Sequence, residues 1–184
     1  MKKYYLLFIS LLAALFCDPV SLQASHAVST SLTYTYVSPN KYKLNLKFYR
    51  DCSGISAPYS VYVNYKSSCS TGGSLTLPAI AGTGNEVKQA CVTGVTTCNG
   101  GSVYGVEEWI YEGIVTLPMV CKDWVFSWET CCRNDNDVLV NAQSQGTYIS
   151  AFLNSVEAPT NSSASFLNVP LPSFCVNKMF LIYF

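Results

Sequence analysis

Two neighbouring runs of alternating apolar and polar residues constrain the fold of this chain more than any other feature. Residues 31–37 read SLTYTYV and residues 42–49 read YKLNLKFY, so large apolar side chains recur at every second position. A period of two is typical of a β-strand that buries one face. The intervening Ser38-Pro39-Asn40-Lys41 has the composition of a tight turn. The pattern therefore predicts a β-hairpin and an antiparallel sheet.

The rest of the chain continues as short strand patterns separated by Gly, Ser, Asn and Pro clusters. No long amphipathic helix pattern follows the N-terminal segment, so many short strands at regular spacing predict an antiparallel sandwich or barrel. The further strands are predicted at residues 59–66, 75–77, 87–92, 109–117, 124–129, 138–141 and 148–153.

The N-terminus has the features of an export signal. Lys2 and Lys3 precede an uncharged apolar run at 4–16, and the small residues Ala24 and Ala27 offer cleavage sites. The run is too short to cross about 30 Å of hydrocarbon as a helix. We expect a signal peptide at 1–24 and one exported domain at 25–184, with no membrane span after cleavage.

Two alternatives to simple cleavage are also compatible with the sequence. The apolar run could act as an uncleaved anchor, or Cys17 could be a lipoprotein cleavage site. The bulky Phe16 before Cys17 disfavours the second alternative, because such sites take a small residue there.

The cysteine count agrees with export. The chain has nine cysteines, and removal of Cys17 with the leader leaves an even number, which favours disulfides in an oxidising compartment. Zinc is the rival interpretation, but no CxxC pair follows the leader. Cys91 and Cys98 are the predicted local pair. Adjacent Cys131 and Cys132 are expected on opposite faces of a strand, each with its own partner. The disulfide candidates are Cys52, Cys69, Cys91, Cys98, Cys121, Cys131, Cys132 and Cys175.

Charge and composition argue against several classes of function. Eleven basic and eleven acidic residues leave no net charge, which excludes the basic surface expected of a nucleic-acid binder. Because His26 is the single histidine of the chain, most histidine-based catalytic and metal-site arrangements are excluded. The sequence therefore predicts no catalytic residue, no metal and no cofactor.

Three tryptophans are the only candidates for ligand contact. Trp124 and Trp128 share one face of a predicted strand, and Trp109 lies on another strand. A platform for sugar rings is one interpretation of this pattern, but burial in a sandwich core is favoured because it is the commoner use of such a strand face.

Other motifs have ordinary structural interpretations. Glu108 and Glu112 fall on one strand and are expected in solvent rather than across a glycosidase cleft. The Asp-Asn-Asp run at 135–137 lacks the rest of a calcium loop and is predicted to be a turn. Residues 161–163 fit the glycosylation acceptor pattern, which matters only in a host that modifies it.

Two motifs are more specific than the strand pattern around them. YRDCSG ends the second predicted strand at 49–54, and CCRN occupies 131–134. Together with the segments between and after them, they resemble the N-terminal domain of large exported surface proteins of Bacteroidota. Those proteins are often labelled gliding-motility-associated or type IX secretion substrates. The resemblance covers residues 25–178 and includes the segments 106–118, 123–128, 161–163 and 172–178.

The resemblance implies an all-β, antiparallel, immunoglobulin-like β-sandwich supported by disulfides and located at the cell surface. It implies no catalytic residues, and it suggests that Cys52 and Cys175 each bond one of Cys131 and Cys132. Cys69 and Cys121 are additions to the family pattern, and their pairing stays open. Relatives continue beyond the last matching segment, so we expect the domain at 25–184 to be incomplete.

The expected function is that of an exported, non-catalytic cell-surface domain with a structural or adhesive role, part of a larger surface protein. Its expected partners are surface glycans or other surface proteins. The alternative is a carbohydrate-binding module or an accessory domain of a secreted hydrolase, in which Trp109, Trp124 or Trp128 would contact the sugar.

Overall fold

The computed structural model describes residues 26–89, 93–134 and 139–164. These residues form eight strands and two short 3-10 turns, at Thr97–Asn99 and Ala142–Ser144. The strands are β1 (Ala27–Ser38), β2 (Lys41–Asp51), β3 (Ser60–Lys66), β4 (Gly73–Pro78), β5 (Asn85–Glu86), β6 (Val106–Thr116), β7 (Trp124–Thr130) and β8 (Thr147–Leu153).

The strands form two four-stranded antiparallel sheets. The first sheet has the order β1-β2-β6-β5 and the second has the order β4-β3-β7-β8. In immunoglobulin lettering these are the A-B-E-D and C′-C-F-G sheets, which is the Greek-key order of that sandwich. The predicted all-β, immunoglobulin-like sandwich is confirmed.

The predicted hairpin is the β1–β2 pair. Leu32 lies opposite Leu46 and Tyr34 opposite Leu44, so the apolar positions of both strands share the inner face. Asn40 has φ 60° in the connecting turn, a backbone conformation that asparagine tolerates better than most residues.

The core lies between the two sheets and is rich in aromatic rings. Trp124, Phe126 and Tyr111 are fully buried there. The rings of Phe48 and Trp128 meet edge to face across the two sheets, with centroids 5.7 Å apart. Such contacts add to the stabilisation from burying apolar surface.

Two strand predictions are wrong in part. In the described part of the strand predicted at 87–92, residues 87–89 are not in a strand; the two-residue β5 at Asn85–Glu86 ends just before them, and Val87 is buried. The strand predicted at 138–141 is a turn in its described part, because Asn141 adopts a left-handed φ of 55° that a strand does not allow.

Several predictions lie outside the described residues: the leader and its cleavage site, Cys91, the turn at 135–137, and Cys175 with the segments around it. Among the residues that are described, no helix is long and apolar enough to cross a membrane.

Candidate functional site

The two specific sequence motifs meet at one end of the sandwich. β2 ends in the first motif, and the Asp51 amide donates a hydrogen bond to the carbonyl of His26, at 3.1 Å. Arg133, in the second motif, forms a parallel bridge with Ala27, and the Asn134 amide donates to the Ala27 carbonyl at 3.1 Å. The start of β1 therefore lies between the motifs and connects them.

Tyr49 and Arg50 pair with two glutamates on β6. The β2–β6 register places Tyr49 opposite Glu108 and Arg50 opposite Glu107. The Tyr49 hydroxyl donates to Glu108 Oε2 at 2.7 Å. Burial, reinforced by this hydrogen bond, raises the pKa of Tyr49 well above its usual range, so the phenol stays protonated.

The Arg50 side chain is buried, and its Nε and Nη1 groups are hydrogen-bonded within the chain. Its Nε donates to Glu107 Oε1 at 2.6 Å, and its Nη1 donates to the carbonyl oxygens of Gly54 and Ile55. The arginine therefore holds the loop that follows β2 against the start of β6.

Asp51 is buried beside the single histidine. Its Oδ1 accepts hydrogen bonds from the Ser53 amide at 2.8 Å and the Ser53 hydroxyl at 2.6 Å. Its Oδ2 lies 3.9 Å from His26 Nδ1. The imidazole lies across Gly54, where an added Cβ would come within 2.5 Å of His26 Cβ, so this position leaves no room for a side chain.

His26, Asp51 and Arg133 border an open cleft of about 600 Å³. The Ser53 hydroxyl donates its hydrogen bond to Asp51 rather than to His26. The serine, aspartate and histidine are therefore not arranged as a nucleophile with its base. Among the described residues, no three side chains of His, Cys, Asp or Glu are grouped to hold a metal ion. The cleft is lined by His26, Ala27, Val28, Asp51, Tyr104, Arg133, Asn134 and Leu139.

The disulfide predictions need correction. Cys98 bonds Cys52 rather than Cys91, with the two Cα atoms 4.9 Å apart. The turn at Thr97–Asn99 brings Cys98 to the end of β2, a proximity that sequence spacing does not reveal. Cys69 and Cys121, the two additions to the family pattern, bond each other and join the loop after β3 to the loop before β7.

Cys131 and Cys132 bond each other, which overturns both expectations about them. They do not lie on opposite faces of a strand, and Cys52 bonds Cys98 rather than either of them, whereas Cys175 lies outside the described residues. The strand alternation that motivated the prediction ends at Thr130, and Cys132 has a left-handed φ of 80°. The adjacent pair therefore lies at a bend after β7 rather than in an extended strand.

The predicted ligand-contact tryptophans face inward. Trp124 and Trp128 are buried in the core, so neither can present a ring to a sugar, and the interpretation of these strands as core is correct. Trp109 is partly buried; its indole N–H donates to Glu107 and its ring packs on Gly84. The tryptophan platform is therefore wrong for Trp124 and Trp128.

Three exposed aromatic residues lie on the opposite face of the same sheet. Tyr62, Tyr148 and Phe152 are 66%, 58% and 69% exposed, and they point outward from β3 and β8. Sequence reasoning missed them, although in β8 they alternate with Ile149, Ala151 and Leu153 and so share a face by the period of two.

The remaining predicted motifs have internal roles. Glu108 and Glu112 lie on the outer face of the first sheet, where Lys47 and Lys43 pair with them at 3.9 Å and 3.3 Å. In the 161–163 motif, the Asn161 side chain donates to the Tyr34 hydroxyl at 3.1 Å.

Comparison with known protein families, with curated proteins and with solved structures finds no match for this chain.

Proposed function

We propose that this chain is a non-catalytic, exported domain of a cell-surface protein and that its role is structural or adhesive. The leader, the disulfides and the resemblance to Bacteroidota surface proteins of the gliding-motility and type IX secretion group motivate the proposal. A surface domain of this kind needs a rigid scaffold that presents a face to a partner.

The observation that carries the proposal is the engagement of the motif side chains with one another. Arg50 pairs with Glu107, Tyr49 with Glu108, and Asp51 with Ser53. A catalytic site keeps an acid, a base or a nucleophile available to substrate. These groups instead form hydrogen bonds that join β2 to β6 and to the loop that follows β2.

The first test asks whether Arg50 supports the fold. Arg50→Met leaves Glu107 partly buried without its cation, so we expect about 3–5 kcal/mol of lost stability, measured by denaturant unfolding. Arg50→Met combined with Glu107→Gln should recover part of this loss, because no uncompensated carboxylate remains. Full stability in the single variant would contradict a supporting role.

The second test separates adhesion from catalysis. Beads coated with the folded chain should be retained on cell surfaces or surface polymers under flow, and chemical reduction of the disulfides should weaken retention by unfolding the domain. A panel of chromogenic hydrolase substrates should show no turnover. Turnover that His26→Ala abolishes while the fold stays intact would overturn the proposal and favour an enzyme.

The carbohydrate-binding alternative loses two of its three predicted residues, because Trp124 and Trp128 are buried. What supports glycan contact is a different surface, the outward face of the second sheet.

A further inference from the structure

The outer face of the second sheet combines exposed aromatic rings with unused polar side chains. This face is formed by the outward-pointing residues of β4, β3, β7 and β8. Tyr62 projects from β3, and Tyr148 and Phe152 project from β8. All three side chains are more than half exposed, an unusual position for phenylalanine in particular.

A row of small polar side chains crosses the middle of this face. The strand registers align Ser74 with Asn64, Asn64 with Ser127, and Ser127 with Ser150. Four adjacent strands make the row about 14 Å long. None of these four side chains makes a hydrogen bond with another residue in the part of the chain that the structure describes.

On the outer face of the first sheet, in contrast, polar side chains form hydrogen bonds and ion pairs with one another. There Asn45 donates to Glu112 at 2.7 Å, and Lys43 also pairs with Glu112. On that face the polar side chains satisfy one another. In the central row of the second sheet, Ser127 is buried, but Asn64, Ser74 and Ser150 are exposed or partly exposed and keep hydrogen-bonding groups available to a ligand.

The aromatic rings flank the polar row on both sides. Tyr62 lies opposite Thr76, and Tyr148 opposite Glu129, on one side of the row. Phe152 lies opposite Val125 on the other side. Tyr148 and Phe152 are four residues apart on β8, so their Cα atoms are separated by about 13 Å along the strand.

This arrangement fits a sugar chain better than a protein surface. Protein interfaces place apolar anchors at the centre and polar residues at the rim, and here the centre is polar. A sugar ring offers C–H groups that pack on the partly negative face of an aromatic ring, together with hydroxyl groups that match serine and asparagine side chains.

The charged residues of this face indicate whether it favours a neutral or an acidic glycan. Among the outward-pointing strand residues, the charged side chains are Lys66 and Glu129, which have opposite signs. The face therefore has no net charge to attract a uronate or sulfated polymer, and it favours a neutral one.

We infer that the outer face of the second sheet binds a neutral glycan chain, with Tyr62, Tyr148 and Phe152 stacking on sugar rings and the central row hydrogen-bonding to their hydroxyls. The inference deepens the proposed adhesive role and rests on it by naming the class of partner.

The test is native gel electrophoresis of the oxidised full chain in gels that contain one soluble polysaccharide each. The neutral probes are xyloglucan, galactomannan, laminarin and dextran, and polygalacturonate is the charged comparison. We expect retardation by at least one neutral probe and a weaker effect of polygalacturonate. Tyr62→Ala and Phe152→Ala should each weaken the binding about tenfold, a change expected from the loss of one aromatic contact.

Matched variants separate the site from a general loss of structure. Tyr62→Phe keeps the ring and should retain most of the binding. Tyr59→Ala removes a tyrosine that is 93% exposed just before β3, outside the face, and should leave binding unchanged. Thermal unfolding midpoints should be similar for all four variants, since each changed side chain is exposed.

The outcomes distinguish this inference from the broader proposal. Binding that survives both alanine substitutions overturns the site, and so does the absence of binding to every neutral probe. If the coated beads still adhere to cells in either case, the adhesive role stands and its partner is not a glycan on this face. Loss of bead retention together with loss of gel retardation in Tyr62→Ala and Phe152→Ala supports both.

Discussion

At the scale of single residues, several polar side chains form hydrogen bonds that connect distant parts of the chain. Asp123, just before β7, accepts hydrogen bonds from the Ser67 hydroxyl and, at 3.0 Å, from the Ser68 amide. These bonds stabilise the carboxylate and lower the pKa of Asp123 to about 2. The carboxylate therefore holds the loop that contains Cys69.

The lowered pKa predicts a pH dependence of stability. Because the pKa of Asp123 is lower in the folded state than the value of about 3.9 in the unfolded chain, its contribution is complete above that value and declines as the pH falls towards 2. Asp123→Asn should be less stable than wild type at neutral pH, and the difference should shrink below about pH 4. Denaturant midpoints measured across this range check the prediction.

Ser67→Ala is the companion variant, because it removes the largest cause of the pKa shift and keeps the carboxylate. It should reduce the pH dependence in the same window. A stability difference between Asp123→Asn and wild type that stays constant down to about pH 2 would contradict the assignment.

At the scale of elements, one edge of the first sheet is the outer edge of β1, and the segment that follows β8 covers it. Tyr34 donates its amide proton to Ser163 Oγ at 2.8 Å, and Tyr36 donates to Ser162 Oγ at 3.1 Å. The Ser163 amide returns a bond to the Tyr34 carbonyl at 3.0 Å. Two serines thus occupy edge positions that another chain would otherwise be able to pair with.

Replacement of both serines by alanine should open this edge. Ser162→Ala with Ser163→Ala removes two hydroxyl acceptors, so we expect a loss of about 1–3 kcal/mol in total. Amide hydrogen exchange should accelerate at Tyr34 and Tyr36, and the variant should aggregate more readily on storage. Thr160→Ala, in the same segment and exposed, is the control. Unchanged exchange at the two tyrosines would show that the serines do not protect the edge.

At the scale of the whole molecule, two of the disulfides between described residues restrain distant loops and a third does not. Cys52–Cys98 and Cys69–Cys121 span 46 and 52 residues, whereas Cys131 and Cys132 are neighbours. Since the chain-entropy contribution of a disulfide grows with the loop it closes, each long-range bond should contribute about 4 kcal/mol.

The paired variants test this difference directly. Cys52→Ala with Cys98→Ala should lower the free energy of unfolding far more than Cys131→Ser with Cys132→Ser, because the adjacent pair closes no long loop. Denaturant unfolding of the two double variants provides the comparison, and non-reducing peptide mapping confirms which bonds remain. A larger loss from the adjacent pair would mean that its role is local and exceeds the entropy of loop closure.

The features predictable from the sequence are those carried by local periodicity. Leu44 and Leu46 alternate with lysine and asparagine, and both are fully buried as the period of two requires. The same rule favoured burial of Trp124 and Trp128. The prediction was wrong at 139–141, where Asn141 turns the chain, and at β5, which is too short to show any period.

The sequence by itself determined the fold class, because side-chain alternation decides locally which residues of a strand can face a core. The tertiary structure decided how the two motifs meet beside His26, how six of the cysteines pair, and which aromatic residues face outward together. These features depend on contacts between residues that are far apart in the chain. They are set by sheet order and loop paths, and no local pattern encodes those.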